Sequence, residues 1–160
     1  RNIQRRTTGS NAMIDVVNYG KLPSSISRPL IQRTVECVFR ITRRRPTGYV
    51  AVCFLSDKEI RELNKKYLGK DVPTDVLSFS SDARVPDARP RKDRKKEWGD
   101  ILISSATTKR QSAERGVPFK EEVVRLVAHG MLHLFGYDHR TKQQEKRMFS
   151  LQERVVVDVL

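Results

Sequence analysis

FKEEVVRLVAHGMLHLFGYDH, residues 119–139, joins a helical pattern to a turn and carries all 3 histidines of the chain. Val123, Val127, Met131 and Leu134 recur at helical spacing, which predicts an amphipathic helix over Phe119 to Phe135. Gly136 ends it, because glycine adopts the left-handed backbone that reverses a chain without steric cost. His129 and His133 stand four residues apart, one turn along the same face. The reversal at Gly136 can swing His139 back beneath them. Three imidazole nitrogens plus water make an open zinc site, in which the ion acidifies the water. Packing alone gives no reason for three histidines here and none elsewhere. The expectation is one metal ion, zinc, held by His129, His133 and His139.

Upstream, strand and helix patterns alternate. Ile14 to Asn18 reads as a first strand, and Leu30 to Thr42 as a helix with Ile31, Val35, Val38 and Phe39 on its apolar face. The arginines at 43–45 then suit a helix C-terminus, where positive charge is favoured. Tyr49 to Leu55 is nearly all apolar, as a strand buried on both faces should be. Ser56 and Glu59 form a capping box for a helix bearing Ile60, Leu63 and Tyr67. Val76 to Phe79 and Trp98 to Ser104 are further strands, the second followed by a helix over Ala106 to Arg115. Thr141 and Gln144 cap a last helix toward Leu160. The predicted class is α/β, close to α+β: one mixed sheet of about four strands with helices packed on it. The metal site falls on a helix of the C-terminal half and the turn after it.

The chain has 160 residues, enough for one domain with its own core, so the metal is not needed to hold the fold. Residues 1–12 lack periodicity, and Ser10-Asn11-Ala12 before Met13 has the look of a cloning-derived or disordered leader. The domain is expected over residues 13–160. Lys and Arg number 32 against 19 acidic residues, a net charge of +13. Without Arg1, Arg5 and Arg6 of the leader it is still +10. A chain this basic, with a pI near 10.2, attracts polyanions such as nucleic acid. Arg84 to Glu97, with two prolines and a basic excess, reads as a loop, either a solvated insertion or an RNA-contacting arm. No apolar run reaches membrane-spanning length, and no basic helix carries a long bulky apolar face. Cys37 and Cys53 form no CxxC and read as small buried hydrophobes, which suits the cytoplasm.

The spacing H-x3-H-x5-H is shared with the metzincin peptidases, whose motif is H-E-x-x-H-x-x-G-x-x-H. Their glutamate, which deprotonates the attacking water, would stand at position 130. Here that residue is Gly130, so peptide hydrolysis lacks its base. Gly130 is expected instead to leave room for a bulky substrate.

Beyond spacing, H-G-M-L-H-L-F-G-Y-D-H resembles the signature of the YbeY family, bacterial endoribonucleases and rRNA maturation factors. Pro73-Thr74-Asp75-Val76-Leu77-Ser78-Phe79 and Gly99-Asp100-Ile101-Leu102-Ile103-Ser104 resemble two further family segments. So do Leu63, Asn64, Tyr67, Gly69, Lys70 and Asp71. The resemblance runs from about Ile14 to the end. It implies a single-strand-specific, metal-dependent endoribonuclease with the three histidines as zinc ligands. The role implied is maturation of the 3′ end of 16S rRNA and ribosome quality control. Partners would be single-stranded RNA, the small ribosomal subunit and its assembly proteins, with no DNA specificity and no membrane. Two departures stand out. Many members carry Arg where this chain has Leu68, and Pro where it has Ser80.

Phosphodiester cleavage builds negative charge on phosphoryl oxygens, so nearby cations are candidate RNA contacts. Lys65, Lys66 and Lys70 can stand in for the missing arginine. Arg125 lies one turn before His129 and either meets phosphate or pairs with Glu121 or Glu122. Asp138 either orients a ligand imidazole or acts as a base, with the orienting role preferred. Asp75 and Asp100 are further orienting candidates. Two other functions stay open: a metal-bearing ribosome-assembly factor with little catalysis, and a metallopeptidase-like hydrolase.

Overall fold

The computed structural model describes residues 14–81 and 97–160. The leader over 1–12 and the loop over 84–97 lie outside those residues, except Glu97, which opens a strand. Along the chain run β1 (Ile14–Tyr19), α1 (Arg28–Ile41), β2 (Gly48–Leu55), α2 (Asp57–Leu68), β3 (Val76–Ser80), β4 (Glu97–Ser104), α3 (Ser105–Arg115), α4 (Phe119–Leu134) and α5 (Lys142–Val159). The strands form one mixed sheet in the order β1-β2-β4-β3. β2 is parallel to both its neighbours, β1 and β4, while β3 returns antiparallel on β4.

The apolar run of β2 explains its place in the middle. Val50 and Val52 point into the main core, while Tyr49, Ala51 and Cys53 point to the opposite face and are buried too. Main-core contacts come from α1, through Leu30, Ile31, Val35, Val38 and Phe39, and from α4, through Val123, Val127 and Met131. Leu134 packs against that core only partly buried. α5 adds Met148, Val155 and Val156. Phe39, Trp98 and Phe135 meet edge to face, with centroids 4.8–5.5 Å apart.

The helix signals act as read. Ser56 and Glu59 close a capping box on α2, Thr141 and Gln144 one on α5. The arginines after α1 behave differently from expectation. Arg43 takes the left-handed position (φ 55°) in the turn after α1. Arg44 reaches across to α4 instead, donating to the Phe135 carbonyl at 3.1 Å with its guanidinium 4.6 Å from that ring's centroid. It therefore caps α4, the helix of the histidines, rather than α1.

Candidate metal centre

The reversal after α4 is built from backbone bonds. Tyr137 N–H donates to the Leu132 carbonyl at 3.0 Å, and Gly136 N–H to that of His133 at 2.9 Å. This is a Schellman motif, and Gly136 supplies the positive φ of 87° it needs. The turn brings His139 back to the other two rings, with centroids 5.6 Å from His129 and 5.1 Å from His133. One ligand nitrogen from each of the three lies within 4.8 Å of the others. The group could hold a metal ion. His129 and His133 are partly buried, and His139 is exposed.

Hydrogen bonds determine which nitrogens face inward. His133 Nδ1 sits 3.0 Å from the Tyr137 carbonyl, an acceptor only, so Nδ1 carries the hydrogen. His129 Nδ1 sits 2.9 Å from Gln152 Oε1. The amide of Gln152 is oriented in turn, because its NH2 donates to Glu153 at 3.0 Å. Glu153 is gripped by Arg125 at 2.8 Å, which holds its carboxyl below the ordinary range. The relay Arg125–Glu153–Gln152 thus assigns His129 the Nδ1–H tautomer. Both Nε2 atoms are left with bare lone pairs, 3.1 Å apart. Burial is the main force holding both imidazoles below their ordinary pKa. Two facing lone pairs repel unless a cation lies between them. Nitrogens bound tetrahedrally to zinc at ~2.0–2.1 Å would stand roughly 3.3–3.4 Å apart, so the donors fit.

Other residues singled out from the sequence fare unevenly. Asp138 accepts from the backbone N–H of His139 at 2.8 Å and pairs with Arg140 at 2.7 Å, so it shapes the turn; ring orientation falls to Gln152 and the Tyr137 carbonyl. Asp75 is close enough for its charge to raise the pKa of His129, against burial. Asp100 acts on Tyr49 and on Cys53, whose thiol is pushed up to about 11 mainly by burial. Lys65 pairs with Asp71 at 2.9 Å, Lys66 lies 5.3 Å over the Tyr67 ring, and Lys70 is exposed.

One open alternative is decided and one expectation is corrected. Arg125 is not a free cation: its guanidinium makes four hydrogen bonds to Glu121, Glu122 and Glu153 and is only 13 % exposed. The pairing alternative holds because Glu122 is fully buried and needs the charge. Gly130 does not open space for substrate. A Cβ there would meet Ile101 Cγ2 at 2.8 Å, so the glycine lets α4 approach β4. Gln152 and Phe149 escaped the sequence reading. Gln152 carried a usable signal, a polar residue at helical spacing with Met148, Val155 and Val156. Phe149 lies 6.3 Å from the His129 ring and 6.1 Å from that of His139.

A mixed α/β sheet with a histidine pair on a covering helix and a third histidine on the turn after it defines a class: single-sheet proteins with an open three-histidine candidate metal centre. The family model described as Endoribonuclease YbeY matches residues 18–159. Endoribonuclease YbeY of Persephonella marina is 41% identical over 111 residues, 69% of each chain. That of Bacillus velezensis is 36% identical over 143 residues, 88% of this chain and 91% of the relative. The solution structure of TM1509 from Thermotoga maritima superposes with a TM-score of 0.58 at 31% identity, covering 92% of this chain and 89% of that one. The chain belongs to the YbeY endoribonuclease family.

Proposed function

We propose that the chain is a single-strand-specific endoribonuclease holding one zinc ion on His129, His133 and His139. It acts in the cytoplasm, in maturation of the 3′ end of 16S rRNA and in ribosome quality control, with the small ribosomal subunit and its assembly proteins as partners. Membership of a family of endoribonucleases supports the reaction. The observation that carries the metal is the convergence of one ring nitrogen from each of His129, His133 and His139 within 4.8 Å of one another. When bound, zinc supplies Lewis-acid polarisation of a phosphoryl oxygen and an acidified water.

The chain's own groups hold that chemistry in place. Gln152 and the Tyr137 carbonyl keep two imidazoles aimed, while burial favours their neutral form. His139 stands on the solvent side, where a flexible strand can approach. Asp138 is engaged at both oxygens in the turn, which favours a positioning role over that of base. A peptidase reading finds no support at position 130, where Ile101 fills the space beside the glycine. The assembly-factor reading draws on Leu68, 55 % exposed and uncharged at the position where the family resemblance implies Arg.

The test compares wild type with His133→Ala on single-stranded and duplex RNA. Cleavage of the single strand by wild type alone is expected. Equal cutting by both proteins means a contaminant and sinks the enzymatic reading. Zinc near one equivalent after chelator-free purification is expected, and less than about half an equivalent counts against the site.

A further inference from the structure

We propose that Phe149 is a base-stacking platform at the rim of the metal centre, so that the site selects RNA whose bases are unpaired. The inference rests on the ribonuclease reading and names how substrate is gripped there. Phe149 is 39 % exposed, the one aromatic side chain among those described that is left so open. Its ring lies within 6.1–6.3 Å of two of the three histidines, tilted 37–41° to their planes. It stands on α5, one turn before Gln152, the residue that orients His129. A helix rather than a loop therefore sets its distance from the reacting centre.

Burial does not explain a phenylalanine here. Its neighbour Met148 is fully buried and already supplies the core contact, while positions 149 and 150 face solvent. The open face of that ring, beside two imidazoles, is free to stack on a planar ligand. What covers it is suggested by charge. Lys142, Lys146 and Phe149 follow at i, i+4 and i+7, so they share one side of α5. Both lysines are exposed, and neither has an ion-pair partner among the described residues. Cations in line with an exposed aromatic ring match the repeating unit of a single strand: phosphates on the lysines, a base on the ring. A paired base is stacked within its duplex and has no free face to offer, which gives single-strand preference a physical cause.

The experiment measures binding rather than cleavage. A short single-stranded oligoadenylate carrying 2-aminopurine is titrated into zinc-loaded wild type, Phe149→Ala, Phe149→Leu and Phe149→Trp, with zinc content measured for each. Alanine and leucine should weaken binding about 5- to 100-fold at unchanged zinc content and abolish the change in 2-aminopurine fluorescence. Tryptophan should bind at least as tightly as wild type. Binding of a blunt RNA duplex should not change in any variant. Wild-type affinity in the leucine variant would overturn the proposal, since leucine keeps the apolar bulk and loses only the ring face. So would an equal loss on duplex. RNA bound in a Phe149-dependent way but never cut would uphold the platform and overturn the nuclease reading. RNA cut normally by the alanine variant with unchanged affinity would do the reverse.

Discussion

At position 152 a glutamine stands in an otherwise apolar row of α5, 7 % exposed, with its carbonyl oxygen on His129. Removing that acceptor frees the imidazole to rotate and to switch tautomer. Gln152→Leu should lower zinc affinity about 10- to 100-fold while the fold persists, as read by competition with a chromophoric chelator. Unchanged affinity would mean that the Nε2 lone pair is set by something else. Gly130 acts through packing alone. Gly130→Ala gains helix propensity of ~1 kcal/mol but pushes a methyl into a fully buried Ile101, an overpacking cost of ~1–3 kcal/mol. A net loss of about 1 kcal/mol in urea denaturation is expected, partly restored by adding Ile101→Val.

Between elements, two charged clusters tie the helices together. Glu122 of α4, fully buried, meets Arg115 of α3 at 2.8 Å and Arg125 of its own helix at 2.8 Å, and Arg125 continues to Glu153 of α5. Replacing Arg125 by Met strips one partner from a carboxylate with no access to water. A loss of about 3 kcal/mol in stability is expected, with Glu122→Gln in the same chain recovering part of it. At the start of α2, Asp57 accepts from the Ser104 hydroxyl, from Thr107 at 2.7 Å, and pairs with Arg110 at 2.9 Å. These bonds, Ser104 first, hold its pKa down to about 2. A depressed carboxyl stabilises above its unfolded pKa of about 3.9 and stops doing so as pH falls through the folded value. Asp57→Asn should therefore cost about 1 kcal/mol at neutral pH, after allowance for partial exposure, and progressively less as pH falls from about 4 through about 2. A difference between the two melting curves that did not shrink in acid would refute this account.

For the molecule as a whole, the dominant quantity is charge. At +13, or +10 without the first residues, the protein should attract any polyanion, and its affinity for single-stranded RNA should depend steeply on salt. If about three phosphates are contacted, a fourfold rise in monovalent salt weakens binding roughly 20-fold. A flat dependence measured by fluorescence anisotropy would show that the basic surface does not face the RNA. Long-range charge brings RNA close without distinguishing single strand from duplex, so the selection proposed above must rest on short-range contacts at the metal centre.

Much of this was legible without coordinates, because it depends on neighbours along the chain. Helical spacing places His129 and His133 on one face, and a glycine at 136 dictates the reversal that returns His139. Alternating strands and helices imply a mixed sheet under helices, and two capping boxes mark helix starts. Contacts between distant segments were not legible. The sequence admitted two partners for Arg125, phosphate or carboxylate, and only the packing of α5 against α4 adds Glu153 to Glu121 and Glu122 of its own helix and closes the carboxylates around it. Gly130 invited a reading as open space until β4 brought Ile101 against it. Arg44 looked like the end of α1 and serves the end of α4, 91 residues away. Local spacing determined which side chains offer nitrogen to a metal. Tertiary packing decided which of their nitrogens face inward, because the hydrogen bonds that fix a tautomer come from other parts of the fold.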